Sequence, residues 1–292
     1  MTDGEVLYFG YGSNLDWSDW KSWCEQKHLS PEGLVEKTAC WLPDYTMKFH
    51  YFSHSRDGGA ADIIEKGKGH AVPGVLFTID ENALRVMDKK EGVGAGIYAR
   101  KAVRVAIPNG TLVEAMTYCL TPERRENRFV QPTNRYTQSI EKGLLKRNLP
   151  IGELKNAIED FSPSFPVERL FVYGTLMLGE IRQATTAHVC NGEGQSATVK
   201  GDLIDLGAYP GLIEGDGTVQ GEVYHLDQVF QALQTLDSIE GFYGYGAEGS
   251  LYTRTIVEIQ TNDGPQWAWT YMYNQHNGSK NKRIESGDWR RR

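Results

Sequence analysis

An α+β fold present twice in tandem is expected from the 292-residue sequence. Three observations carry that expectation. A strand-like run ending in Tyr-Gly and a small hydroxyl residue occurs near the start and again past the middle. An apolar helical stripe ending in Glu-Gly follows in each half, and a Tyr-x-Arg then opens an alternating strand.

The opening strands are VLYFGYGSNL (6–15) and RLFVYGTLML (169–178), which pair Tyr11-Gly12-Ser13 with Tyr173-Gly174-Thr175. Both are β-branched and aromatic runs closed by turn residues. A second strand pair follows, Val72–Phe77 with Val219–Tyr224, each with a glycine where backbone or ligand must come close. After the helix, Tyr98-Ala-Arg100 matches Tyr252-Thr-Arg254, and VEAMTYCL and WAWTYMYN read as closing strands. Between the copies, FSPSFPVE (161–168) breaks the periodic pattern with two prolines and two serines, which sets domains at 1–162 and 163–292. The first copy continues past its closing strand with Tyr136, Ile140, Leu144, Leu145, Leu154 and Ile158 at helical spacing, so it gains two helices that the second lacks. Each unit is thus expected to be a small mixed barrel with flanking helices.

Composition narrows the function classes. Hydrophobic residues make up 40% and charged residues 24%, as in an ordinary globular chain. A net charge of -7 without a basic stripe disfavours nucleic acid. The tail Lys280, Lys282, Arg283, Arg290, Arg291 and Arg292 reads as a solvated terminus. No apolar run approaches a membrane span and MTDGEVLYFG has no signal-peptide pattern, so a cytoplasmic protein without membrane association is expected. Cys24, Cys40, Cys119 and Cys190 are widely spaced, which suits free thiols. Only His50 and His54 approach a metal-ligand spacing, in MKFHYFSH, where a strand would put both on one face, and no metal is expected.

The candidate chemistry lies at the helix ends. Leu84, Met87 and Glu91 share one helical face, as do Leu233, Leu236 and Glu240. A carboxylate that extends an apolar stripe is costly to bury, and here it recurs in register in a diverged duplicate. Glycine follows each one, so each carboxyl group should sit at the negative end of a helix, buried, with a raised pKa suited to acid/base work. In one copy alone, a surface glutamate salt-bridged to Arg100 or Arg254 would explain the pattern as well. The paired register favours the buried acid, with the Tyr-Gly turn, the glutamate and the Tyr-x-Arg converging on one cavity. The Tyr-Gly-Ser/Thr turns suit an anion-binding cradle, because glycine lets consecutive backbone N–H groups converge. Gly10-x-Gly12 lacks the third glycine of a dinucleotide site, no P-loop lysine follows, and Ser13 is not in a GxSxG elbow, so a small organic acid is the better ligand.

On these residues the chain resembles the γ-glutamylcyclotransferase family over nearly its whole length. YFGYGSN, DGGAADI (57–63), DKKEGVGAGIY (88–98) and Tyr136 resemble the branch acting on γ-glutamyl amino acids. FVYGTLMLGE (171–180), LDSIEG (236–241) and LYTR (251–254) are similar to the γ-glutamylamine and AIG2-like branch. The resemblance implies Glu91 and Glu240 as catalytic acid/bases. It implies Tyr8, Phe9, Gly10, Tyr11, Gly12 and Ser13, with Tyr136, as one substrate cradle and Tyr173, Gly174, Thr175 and Leu176 as the other. It further implies a small γ-glutamyl substrate, no cofactor, and ring closure to 5-oxoproline with release of an amine. The second copy departs by placing Leu176 where the first has Asn14, and by the longer glycine-rich FYGYGAEGS (242–250), which suits either a substrate loop that sets leaving-group choice or a copy that has drifted. These differences lead us to expect γ-glutamyl amino acids or dipeptides at the first site and γ-glutamylamines or bulkier amides at the second. Amide hydrolysis or acyl transfer on the same fold, and metabolite binding without turnover, stand as the alternatives.

Overall fold

A computed structural model describes residues 6–274 and 282–292. The chain divides into two compact units. The first comprises residues up to Val105 together with Val113–Pro166, and the second comprises Ala106–Leu112 and the chain from Val167 onward.

The first unit is built on a closed five-stranded barrel. Its strands are β1 (Val6–Gly10), β2 (Leu34–Pro43), β5 (Ala71–Ile79), β6 (Tyr98–Ala106) and β7 (Leu112–Leu120), in the order β1-β5-β2-β6-β7. The ring closes through a parallel contact of β1 with β7, at Tyr8 and Met116. A separate hairpin, β3 (Tyr45–Ser53) with β4 (Gly58–Glu65), stands beside the barrel. Every residue of β5 is buried, which is why it reads as one continuous apolar run rather than an alternating one. Helix α1 (Trp17–Gln26) follows β1 and helix α2 (Glu81–Lys90) follows β5. The Asp80 side chain caps α2 by accepting from the Ala83 N–H at 2.8 Å. The two added helices are present as α3 (Asn134–Leu145) and α4 (Gly152–Ile158), although Leu145 faces solvent.

The second unit repeats this plan with fewer strands, two of them much longer. They are β8 (Arg169–Val172), β9 (Cys190–Asp205), β10 (Pro210–Leu226), β11 (Tyr252–Thr261) and β12 (Gly264–Tyr273), with α5 (Gln183–Val189) and α6 (Val229–Glu240). Pairing runs β10-β8-β12-β11-β9, and β9 pairs again with β10, so the five strands form a ring. β9 and β10 each do the work of two strands of the first unit. Their near-terminal segments pair as β2 and β5 do, and their far segments, Leu203–Asp205 with Pro210–Leu212, stand where the β3–β4 hairpin stands.

The repeat extends to single hydrogen bonds. Thr117 Oγ1 donates to Phe9 O at 2.9 Å and Thr270 Oγ1 to Phe171 O at 3.0 Å. Tyr11 OH donates to Tyr118 O at 2.6 Å and Tyr173 OH to Tyr271 O at 2.7 Å. These bonds tie each Tyr-Gly turn to its closing strand.

Several expectations are corrected. The described basic residues of the tail are exposed, as expected, but the segment that carries them is docked rather than free. Ile284 and Trp289 are buried, Arg283 pairs with Asp202 at 3.0 Å, and Arg290 pairs with Glu222 at 2.9 Å. Lys280 lies outside the described residues. His50 and His54 do not share a strand face, since His54 falls in the turn after β3, and His50 Nε2 lies 2.8 Å from Asp62 Oδ2. Among the described residues no group of three His, Cys, Asp or Glu side chains is arranged to hold a metal ion, and no helix is long and apolar enough to cross a membrane. All four cysteines are buried free thiols.

Candidate active sites

Each unit holds one cavity at the end of its Tyr-Gly strand. The first, about 870 Å³, is lined by Tyr8, Tyr11, Gly12, Ser13, Asn14, Glu91, Tyr98, Tyr118 and Tyr136, with a set of charged side chains. The second, about 210 Å³, is lined by Tyr173, Gly174, Thr175, Leu176, Glu240, Tyr252 and Tyr271. The C-terminal ends of both helices thus deliver a glutamate to the cavity, Glu91 as the residue that caps α2 and Glu240 as the last residue of α6. The glycine after each has left-handed backbone, with φ of 66° at Gly92 and 61° at Gly241.

Two of the sequence-derived cradle residues are not brought to the cavity. Phe9 is fully buried in the barrel core, on the strand face opposite Tyr8, while Gly10 shares the face of Tyr8 and is covered by the Phe77 ring. The turn glycines also work differently from a left-handed nest. Gly12 is extended, with φ of -100° and ψ of -151°, and neither it nor Gly174 has positive φ. At Gly174 the requirement is space, since a Cβ would stand 2.5 Å from Pro210 Cγ. Ser13–Leu15 form a single 3-10 turn, which leaves its opening N–H groups without an internal acceptor.

The two arginines of the Tyr-x-Arg pairs do not line the cavities either. They sit behind the glutamates, each paired with an aspartate three residues before the glutamate. Arg100 Nε donates to Asp88 Oδ1 at 2.9 Å, and Arg254 Nη1 donates to Asp237 Oδ2 at 2.6 Å. The closing-strand tyrosine completes each cluster, with Tyr118 OH to Asp88 at 2.7 Å and Tyr271 OH to Asp237 at 2.8 Å. The tyrosine of each Tyr-x-Arg does face its cavity, where Tyr98 OH donates to Ala61 O at 2.7 Å and Tyr252 OH to Pro210 O at 2.5 Å. Burial first, and then nearby acidic groups, holds the Tyr98 and Tyr252 hydroxyls protonated. The glycine-rich 242–250 loop does not line the second cavity. Its Phe242 and Tyr245 rings pack on each other and over the Arg254 guanidinium.

The surroundings of the two glutamates differ. Both are partly buried rather than sealed. Glu91 Oε1 accepts from Asn14 Nδ2 at 3.0 Å, and the same nitrogen lies 2.9 Å from Tyr8 OH. Lys90 Nζ fixes that amide by donating to Asn14 Oδ1 at 2.6 Å while also pairing with Asp19 at 3.0 Å. Burial pulls the Lys90 ammonium below its ordinary value, with Asp19 and Glu91 opposing the shift. The second site has Leu176 in place of Asn14 and Ile239 in place of Lys90. Among the described residues nothing donates a hydrogen bond to Glu240, and burial raises its carboxyl to about 7, partly offset by the charge of Arg182. Asn14→Leu, which imports the second site's residue, should remove the donor to Glu91 and strand Lys90. Turnover at the first site is expected to fall about tenfold or more, at the scale of one hydrogen bond to a charged group, with the second site unaffected. Steady-state kinetics on a substrate of each site checks this.

A family profile described as γ-glutamyl cyclotransferase, AIG2-like, matches residues 170–291, and one described as AIG2-like matches residues 71–152. The γ-glutamylcyclotransferase family protein YtfP of Escherichia coli K12 is 37% identical over 123 residues, which is 41% of this chain and 95% of that protein. The γ-glutamylcyclotransferase of Bos taurus is 32% identical over 164 residues, 54% of this chain and 81% of that protein. The chain belongs to the γ-glutamylcyclotransferase family. A solved γ-glutamyl cyclotransferase structure aligns at 25% identity with a TM-score of 0.45, over 55% of this chain and 89% of that one. Within this cyclotransferase-family chain, one arrangement of Tyr-Gly turn, glutamate and cavity tyrosine occurs twice.

Sequence reasoning missed Asp88, Asp237, Tyr118 and Tyr271, although the signal was present. Asp-x-x-Glu-Gly occurs in both halves, and each closing strand carries a Thr-Tyr. It also missed Asp19, Lys90 and Arg56, which belong to one copy only and so left no repeat to find.

Proposed function

We propose that this cyclotransferase-family chain carries two self-contained sites, each converting a γ-glutamyl compound to 5-oxoproline and a free amine. The observation behind this reading is a single carboxyl group, Glu91 or Glu240, standing in each cavity beside a Tyr-Gly-Ser/Thr turn. The substrate's α-amine nitrogen attacks its own γ-carbonyl carbon, forming the ring C–N bond and a tetrahedral oxyanion. The glutamate takes the proton that the amine loses and delivers it to the departing nitrogen as the original amide C–N bond breaks. Because nucleophile and electrophile belong to one molecule, the site needs only to fold the substrate and move protons. In this reading the backbone N–H groups of the turn serve the oxyanion.

Cavity character supports different substrates. The first site is large and rich in charge, with Asp19, Arg56 and Lys90 among its walls, and suits γ-glutamyl amino acids or dipeptides. The second is small and walled by Tyr209, Pro210, Ile239 and Leu251, and suits γ-glutamylamines whose bulk extends beyond the mouth. Cyclisation is tested by running the reaction in ¹⁸O-labelled water. The expected product is 5-oxoproline free of label, whereas labelled glutamate would establish hydrolysis instead.

A pH dependence follows at the second site. A base must be ionised to accept a proton, and Glu240 ionises at about 7, so kcat/KM at this site should rise with pH up to about 7 and level off above it. Stability runs the other way. Between the ordinary 4.5 and about 7 the folded chain holds a proton that the unfolded chain has released, so stability falls as pH rises through that window. Glu240→Gln, which cannot ionise, should flatten that slope in urea unfolding measured from pH 5 to 8.

A further inference from the structure

The α-amine and α-carboxylate of a γ-glutamyl substrate hang on one carbon. Whatever holds the carboxylate must therefore stand beside the glutamate that serves the amine. In the first cavity most cations are otherwise engaged or stand at the rim. Lys90 is committed to Asn14 and Asp19, Lys142 pairs with Asp16 at 3.4 Å, and Lys27 and Arg135 are exposed. Arg56 is different. It comes from the turn between β3 and β4, its guanidinium lies 4.0 Å over the Tyr136 ring, and its Nη2 donates to Ser13 Oγ at 2.9 Å. It is also close enough to feel the charges of Asp19 and, less strongly, Glu91, although neither carboxylate hydrogen-bonds to it. One N–H reaches Ser13, and the rest of the planar fork is left to face a carboxylate.

The second cavity has no counterpart of Arg56, because the 206–209 turn supplies Leu206, Gly207, Ala208 and Tyr209. Its sole lining cation among the described residues is Arg182, just before α5, whose backbone N–H donates to Thr175 O at 2.8 Å and whose charge acts on Glu240. Counting from the turn hydroxyl, the first copy has the fully buried Trp20 where the second has Arg182. Each site therefore has an arginine at its Tyr-Gly-Ser/Thr turn, drawn from a different place in the repeat.

We propose that Arg56 in the first site and Arg182 in the second hold the α-carboxylate of the γ-glutamyl substrate, two non-equivalent arginines performing one task. This rests on the cyclotransferase reading above. It makes substrate selectivity for the glutamyl head a property that each copy acquired separately.

The test pairs substrates that differ only in that carboxylate. γ-Glutamyl-alanine is compared with 4-aminobutanoyl-alanine, and γ-glutamyl-butylamine with 4-aminobutanoyl-butylamine; the analogues close to 2-pyrrolidinone. Arg56→Ala and Arg56→Lys are made in the Glu240→Gln background, and Arg182→Ala and Arg182→Lys in the Glu91→Gln background. Each alanine variant should lose roughly ten- to hundredfold in kcat/KM on its glutamyl substrate, mainly through KM, and leave its 4-aminobutanoyl analogue unchanged. Lysine should restore part of the loss, and melting temperatures report folding. Equal losses on both members of a pair would overturn the proposal. So would a loss at Arg56 that is seen with γ-glutamyl-alanine but vanishes with γ-glutamyl-ethylamine, since the arginine would then be reading the leaving group. A parent protein that forms no lactam from any substrate refutes the cyclotransferase reading itself. A parent that cyclises while the alanine variants lose no activity refutes only the arginine assignment.

Discussion

Glu91→Gln is expected to lower turnover of first-site substrates by about 10²- to 10⁴-fold, the scale of a lost general acid/base, while second-site substrates are cyclised at the parent rate. Glu240→Gln should do the converse. Glutamine keeps the shape of the side chain and can still receive the Asn14 hydrogen bond at its oxygen, so the loss reports the proton acceptor rather than packing. The selectivity follows from the cavities, because each is lined within one unit by its own turn, glutamate and tyrosines. Separate kinetics on a γ-glutamyl amino acid and a γ-glutamylamine check it. Loss of both activities in Glu91→Gln would show that the second cavity does not turn over those substrates.

Arg254→Met should destabilise the second unit by about 3–5 kcal/mol, the usual consequence of leaving a buried charge without its partner. Arg254 is 1% and Asp237 3% exposed, so the carboxylate left behind cannot turn to water. The equivalent change in the first copy, Arg100→Met, should cost no more than about 1 kcal/mol, because that pair is 41% and 25% exposed and water replaces the lost partner. Urea unfolding of both variants beside the parent gives the comparison. Similar losses for the two would mean that burial does not set the strength of this repeated cluster.

The legible part of the protein was the part written twice. Tyr-Gly-Ser/Thr, the stripe ending in Glu-Gly and the Tyr-x-Arg each recur at matching places, and together they carried the α+β class and pointed to one carboxyl group per cavity. A barrel was expected, but the strand pairing that closes it was not legible. Closure depends on a parallel contact of β1 with β7 and on the pairing of β9 with β10, long-range matches that no local pattern encodes. Residue type also failed to give direction. Phe9 belongs to the same run as Tyr8 but faces the core, and the arginines of the Tyr-x-Arg pairs turn away to Asp88 and Asp237. The glycine-rich loop resembled a substrate loop in composition, yet its aromatic rings pack on Arg254. Arg56 and Arg182 escaped notice because each occurs once, and a surface turn and a helix entrance are ordinary places for an arginine.

The most direct test of two independent sites is 5-oxoproline release from one substrate mixture by four proteins: the parent, Glu91→Gln, Glu240→Gln and the double variant. Two self-contained sites require the rates of the single variants to sum to the parent rate and the double variant to form no 5-oxoproline above the uncatalysed background. Parent-like 5-oxoproline formation by the double variant would contradict the account, because the cavities would then be working without the carboxyl groups placed at their centre.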